Sequence, residues 1–226
     1  MLELRNVNAS IGIIPILRNL NFKIEQAQTV ALIGRNGAGK TTLLRTIMGF
    51  TKTTGEIVFD GQPINALHPP KRPGLGIGYA PEDRRLFSAF TVEENILLPA
   101  QAARLDKAET EKRLDRAYTV LPELRELAGR PGGTVSGGQG KMVALARALM
   151  LGTKLIMLDE PFQGLAPALA QRYAEALRTL RDADRSVTLL ITESNPSLLR
   201  GFADRTLVIE RGEIEEGSLE PEGTHA

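Results

Sequence analysis

Apolar and polar positions alternate in two rhythms along this chain. Leu2 to Val7 and Leu20 to Ile24 alternate apolar and polar side chains, which predicts strands with one buried face. Glu56-Ile57-Val58-Phe59 reads as a third strand, closed by an Asp60-Gly61 turn. These short strands predict a small antiparallel sheet. Thr29-Val30-Ala31-Leu32-Ile33 is instead continuously apolar and β-branched, as a strand covered on both faces should be. Similar runs return at Leu155-Ile156-Met157-Leu158, Val187 to Thr192 and Leu207-Val208-Ile209. Helical spacing appears over Thr42 to Met48, with Gly49 as the stop. It reappears over Lys107 to Val120 (Leu114, Ala117, Tyr118), Gln139 to Leu151 (Met142, Leu145, Ala146, Leu149) and Ala168 to Arg181 (Leu169, Tyr173, Leu177, Leu180). His68-Pro69-Pro70-Lys71-Arg72-Pro73 is predicted to be a non-helical surface connection, with His68 a solvated loop residue.

Strand, helix, strand order implies an α/β fold with a mainly parallel core sheet. From Thr91 to about Leu151 β-rich runs cease, and Pro122 and Pro131-Gly132-Gly133 punctuate what reads as a helical insert. A chain of 226 residues fits one domain. Its expected division is a core at 1–90 and 152–226 carrying the small β subdomain, with a helical subdomain at 91–151. An apolar content of 42% supports a sizeable core, and a net charge of +1 gives no reason to expect nucleic acid as partner. The lack of cysteine excludes disulfides and thiolate metal sites. No apolar run approaches the roughly 20 residues of a membrane span, and the N-terminus lacks a signal-peptide stretch. Work at a membrane would therefore go through a partner.

The chemistry concentrates at Gly34-Arg35-Asn36-Gly37-Ala38-Gly39-Lys40-Thr41-Thr42, which fits the phosphate-loop pattern G-x-x-x-x-G-K-[ST] between a strand and a helix. A Gly-rich turn leading into a helix aims backbone N–H groups at one anion. Residues Asn36, Gly37, Ala38, Gly39, Lys40, Thr41 and Thr42 are the expected phosphate cradle. Lys40 is expected at the β- and γ-phosphates of ATP, and the Thr41 hydroxyl on Mg²⁺. The strand Leu155 to Leu158 ends in Asp159-Glu160. Beside a phosphate loop, Asp159 suits the magnesium and Glu160 suits the general base that polarises the attacking water.

Val135-Ser136-Gly137-Gly138-Gln139 is a second Gly-rich helix start, upstream of those carboxylates. With it, nearly the whole chain resembles the ATP-binding cassette (ABC) ATPases, with Val135 in place of the usual leucine. The resemblance implies the P-loop NTPase fold, ATP and Mg²⁺ as ligands, and a head-to-tail dimer. In such a dimer Ser136, Gly137, Gly138 and Gln139 cap the nucleotide of the second ABC ATPase subunit, a copy or a relative. Gly78 to Phe87 and Thr91 to Asn95 are similar to the family's glutamine loop, with Glu82 at the glutamine position and therefore a further expected magnesium ligand. Glu82 and Ala166, which stands where most members place aspartate, resemble one branch. It comprises the ATPase subunits of bacterial importers for branched-chain and other hydrophobic amino acids and related small solutes.

That branch implies further partners: integral-membrane permease subunits and a periplasmic or lipid-anchored solute-binding protein, with this chain peripheral on the cytoplasmic face of the inner membrane. The permease is expected near Glu82 to Asn95. In two places the chain departs from the family. Ile11 stands where many members stack an aromatic on adenine. Ser194 stands where most carry a catalytic histidine, and His68 and His225 cannot fill that place in sequence order. A serine is expected to fall short of the γ-phosphate unless water bridges. The alternative to a full ATPase is therefore a weakly hydrolysing half of a heterodimeric pair.

Overall fold

Along residues 1–219, which this computed structural model describes, strands and helices follow in the expected alternation. In chain order they are β1 (Leu2–Ile11), β2 (Ile14–Ile24), β3 (Thr29–Ile33), α1 (Lys40–Ile47), β4 (Lys52–Phe59), β5 (Gln62–Pro63) and β6 (Ile77–Ala80). The helices α2 (Val92–Ala102), α3 (Lys107–Val120), α4 (Glu123–Leu127) and α5 (Gly137–Leu149) come next. Then follow β7 (Leu155–Asp159), α6 (Pro167–Ala183), β8 (Thr188–Glu193), β9 (Arg205–Glu210) and β10 (Glu213–Gly217). They divide into two compact units, Met1–Arg72 with the stretch from Thr188, and Pro73–Val187.

In the first unit, β2-β1-β4-β5 form an antiparallel sheet. Leu2 and Leu4 pair with Ile24 and Phe22 on one side and with Phe59 and Ile57 on the other, and all six side chains are buried. The predicted first strand stops at Val7, but β1 runs on to Ile11. A bulge explains the difference: the register shifts between Leu4 and Val7, where Asn6 takes φ 50° and gives its N–H to Asn21 Oδ1. Beyond it, alternation resumes in the opposite phase, with Val7 and Ala9 buried.

The same unit holds β3 between β8 and β9, parallel to both. Val30, Ala31 and Leu32 are fully buried, which is why the run is apolar without alternation. Strand β10 returns antiparallel on β9 through Arg211-Gly212, at φ 50° and 82°. Helix α1 ends in a Schellman motif: Phe50 N–H bonds Arg45 O at 2.8 Å and Gly49 N–H bonds Thr46 O at 2.9 Å, with Gly49 at φ 84°. The prolines after His68 do not exclude helix. Residues Pro69–Leu75 form 3₁₀ turns, in which proline's missing N–H and fixed φ are tolerated over a short run. They bury Arg72, whose guanidinium donates to the carbonyls of Thr46 (3.1 Å) and Ile47 (2.6 Å) at the negative end of α1. Burial lowers its pKa, since desolvation disfavours the charged form.

In the second unit β6 and β7 pair in parallel. Gly78 lets α5 lie directly on β6, since a Cβ there would stand 2.2 Å from Ala148 O. Helix α2 opens with a Thr91–Glu94 capping box, and α3 with Asp106 accepting from Glu109 N–H. Asn95, fully buried, accepts from Phe87 N–H and donates to the carbonyls of Phe87, Phe90 and Thr91. Helix α6 packs Tyr173 edge-on against Phe162, centroids 5.6 Å apart. Among the described residues no helix is long and apolar enough to cross a membrane.

Candidate functional site

The loop after β3 is shaped by close approach and by left-handed backbone. A Cβ at Gly34 would stand 2.5 Å from Ile209 O, so the chain leaves β3 hard against the end of β9. Gly37 and Gly39 take φ 81° and 116°, which side-chain-bearing residues rarely adopt. Gly39 is the N-cap of α1, with no side-chain cap and no acidic residue in the first turn. The positive end of the helix dipole is thus not offset by the helix's own residues. Lys40 is buried at 4% exposure. Its Nζ donates to Gly34 O at 2.6 Å, Arg35 O at 3.1 Å and Ser194 Oγ at 3.0 Å. Ser194 Oγ donates to Asn36 Oδ1 at 2.8 Å.

Asn36, Lys40 and Ser194 therefore meet in one hydrogen-bonded group, because β8 beside β3 delivers Ser194 to the loop. Thr41 and Thr42 follow in the first turn of α1. Ile11 pairs with Ile14 at the β1–β2 hairpin tip and stays 52% exposed. His225 lies outside the described residues. An uncapped helix start with a fixed ammonium suits a polyphosphate.

The second unit carries the other candidates. Asp159 ends β7 at 2% exposure, with Tyr79 OH 3.3 Å from its Oδ2. Glu160, at 5% exposure, holds φ 45°, and its carbonyl accepts from Lys141 Nζ at 2.5 Å. Ser136 is the N-cap of α5 in a reciprocal box: its Oγ accepts from Gln139 N–H at 3.2 Å, and Gln139 Oε1 accepts from Ser136 N–H at 2.9 Å. Gly138 has no room for a side chain, since a Cβ would meet Leu169 Cδ2 at 1.8 Å. Glu82 is exposed in the turn closed by Arg84 N–H on Pro81 O. Arg84 and Arg85 both hold left-handed φ, 61° and 49°.

Among the described residues no cluster of three or more His, Asp or Glu is arranged to hold a metal. Magnesium does not need one, since it usually keeps water and phosphate ligands and takes only one or two protein oxygens. The Thr41 hydroxyl in the first unit and the Asp159 carboxylate in the second are each hard oxygens of the kind it takes. No individual role for Tyr79, Lys141 or Arg84 is legible in the sequence, because their contacts join residues far apart in it and match no local pattern.

The family model described as "ABC transporter" matches residues 17–163. Over 215 residues the chain is 36% identical to the "High-affinity branched-chain amino acid transport ATP-binding protein BraG" of Pseudomonas aeruginosa, covering 95% of this chain and 91% of that one. It is 35% identical to the "Probable branched-chain amino acid transport ATP-binding protein LivF" of Archaeoglobus fulgidus, covering 95% and 90%. Among solved structures it is similar to MJ0796, a bacterial ABC transporter cassette solved as a dimer, with TM-score 0.84, 27% identity, and 98% and 100% of the two chains covered. The same cassette has been solved dimeric with ADP and Pi, in a post-hydrolysis state, at the same TM-score of 0.84.

Proposed function

Because this chain belongs to the ABC transporter family and has the fold of its ATPase cassettes, we propose that it is the ATP-hydrolysing, energy-coupling subunit of an importer for branched-chain or other hydrophobic amino acids or related small solutes. One observation carries the reading: a buried ammonium, Lys40, held at the mouth of an uncapped Gly-rich helix start. The solute class follows the relatives named for branched-chain amino acid transport, which this chain covers to 91% and 90% of their length. Importer ATPases named for sulfate/thiosulfate and Fe(3+) also match, but over 63% and 61% of their length.

The roles proposed for individual residues combine their chemistry with the family resemblance. The loop from Asn36 to Thr42 holds the phosphates, with Lys40 as the fixed cation at the β- and γ-oxygens. Thr41 would ligate Mg²⁺, with Asp159 and Glu82 reaching it directly or through water, and the ion would neutralise charge on the β- and γ-phosphate oxygens. Glu160 takes the proton of the attacking water. Ile11 offers the base apolar contact without a π-face. Ser194 orients Lys40 and Asn36. Ser136, Gly137, Gly138 and Gln139 serve the nucleotide of a second cassette. The division into a core (1–90 and 152–226) and a helical subdomain (91–151) is supported by helices α2 to α5, which fall between Val92 and Leu149. A permease, a solute-binding protein and the cytoplasmic membrane face complete the assignment.

Ile11 and Ser194 favour a second reading, in which the chain is the weakly hydrolysing half of a heterodimer. Steady-state ATPase on the purified chain, beside subunits co-purified from membranes, tests both. Self-association with turnover abolished by Glu160→Gln supports the first reading. Turnover only with a second cassette supports the other, and no nucleotide binding at all defeats both.

A further inference from the structure

The first five residues of α5 make contacts at both ends of that stretch within their own unit. At Gly137 lies Arg84, whose Nη1 donates to Gly137 O at 3.0 Å. Its stem crosses the turn so closely that a Cβ at Gly140 would stand 3.1 Å from Arg84 Cδ. The last turn of α5 holds the same loop, as Arg147 Nη1 donates to Arg85 O at 2.7 Å. One helical turn on from Gly137, Lys141 Nζ donates to Glu160 O at 2.5 Å. In an α-helix Gly137 O is also the acceptor for the backbone N–H of residue 141. Arg84, Gly137, Lys141 and Glu160 thus form one continuous run of contacts.

The two ends of this run share an unusual backbone. Arg84, Arg85 and Glu160 all hold left-handed φ, at 61°, 49° and 45°. Such conformations cost of order 1 kcal/mol or more and persist only where surrounding contacts over-determine them. At Glu160 the ammonium of Lys141 is such a contact, a charge-assisted bond to the residue's own carbonyl.

We propose that Lys141 is a positioning residue for hydrolysis: it fixes the Glu160 backbone and ties it, through the first turn of α5 and Arg84, to the loop at 81–86. The proposal rests on the reading of Glu160 as the base. It gives that loop a way to act on the base that does not pass through the nucleotide. A shift in the loop moves Arg84, the Gly137 carbonyl and the turn that carries Lys141.

The test is kcat and KM for ATP, with melting temperature, on the full chain as wild type, Lys141→Met, Lys141→Arg, Lys141→Gln and Glu160→Gln. Lys141→Met keeps an unbranched stem one atom shorter and removes the donor. It is expected to lower kcat about tenfold or more, since small misplacements of a reacting group are costly, with KM nearly unchanged and the melting temperature lowered by only a few degrees. Lys141→Arg, which restores a charged donor, is expected to recover most of the rate. Lys141→Gln, a shorter neutral donor, is expected to be intermediate and serves if Lys141→Met does not fold. Wild-type kcat in the Met or Gln variant beside an inactive Glu160→Gln overturns the brace and leaves the base standing. A raised KM at unchanged kcat, or an Arg variant as slow as the Met variant, also overturns it. An active Glu160→Gln overturns the base assignment first, and the proposal with it.

Discussion

At the start of α1 the glycines set the backbone, with Gly37 and Gly39 at φ 81° and 116°, and no side chain caps the helix. At the start of α5 none of Gly137, Gly138 and Gly140 takes a left-handed φ. There the glycines clear space, for Leu169 at position 138 and for Arg84 at positions 137 and 140. The helix closes its own end with the Ser136–Gln139 box. Two stretches equally rich in glycine thus do different things. The first leaves the positive end of a helix without a cap of its own, beside a fixed ammonium. The second spends its serine and glutamine on itself, so a ligand there has to compete with an existing cap, worth about 1 kcal/mol. This fits a start that holds its own chain's nucleotide in the first case, and one that engages another chain's nucleotide in the second.

The comparison can be broken from either side. The largest effect is expected away from both helix starts: Glu160→Gln should keep ATP binding and slow hydrolysis about 100- to 10,000-fold, read in single-turnover assays. The variant should also accumulate as an ATP-bound dimer, visible by light scattering. Lys40→Ala should weaken nucleotide binding about 10- to 100-fold, the worth of a charged hydrogen-bonding partner, in a fluorescent ATP titration. The glycines separate the two roles most sharply. Gly138→Ala drives a methyl into Leu169 and should cost about 1–3 kcal/mol, roughly 2–4 °C of melting temperature per kcal/mol. Gly37→Ala meets no atom within 4 Å, so its cost is the left-handed backbone alone, about 1–2 kcal/mol. It should lose nucleotide affinity out of proportion to stability, while Gly138→Ala should do the reverse.

The smallest effect belongs to Ser194→Ala. Its hydroxyl joins Lys40 to Asn36, so its loss loosens the lysine but removes no charge. At most about tenfold in ATPase rate is expected, roughly 1.4 kcal/mol of barrier. A variant as inactive as Glu160→Gln would make the serine an essential group.

What was legible in the sequence was what is local. The phosphate loop is a contiguous pattern, and the buried strands β3, β7, β8 and β9 announce themselves as apolar runs. Strand β6 escaped because it is four residues long with Gly78 inside it. Strand β10 escaped because Glu213-Ile214-Glu215-Glu216-Gly217 carries a single apolar residue, as an edge strand can. The bulge at Asn6 hid half of β1 by reversing the alternation. At the candidate site the sequence offers residues to propose but not their partners. Nothing near Arg72 in sequence announces that it holds the end of α1, and nothing near Lys141 announces Glu160. Ser194 reads as a short substitute for a histidine, and the structure adds that its hydroxyl is bonded to Lys40 and Asn36.

The contrast between the two helix starts is tested most directly by calorimetric titration of a non-hydrolysable ATP analogue into Lys40→Ala and Ser136→Ala, at protein concentrations where the chain is monomeric. Lys40→Ala is expected to lose most of its affinity, and Ser136→Ala to bind as the wild type does, because on the proposed reading its helix start serves a nucleotide held by another subunit. Equal losses in the two variants, or a loss confined to Ser136→Ala, would contradict the assignment of α1 to the chain's own nucleotide and α5 to its partner's.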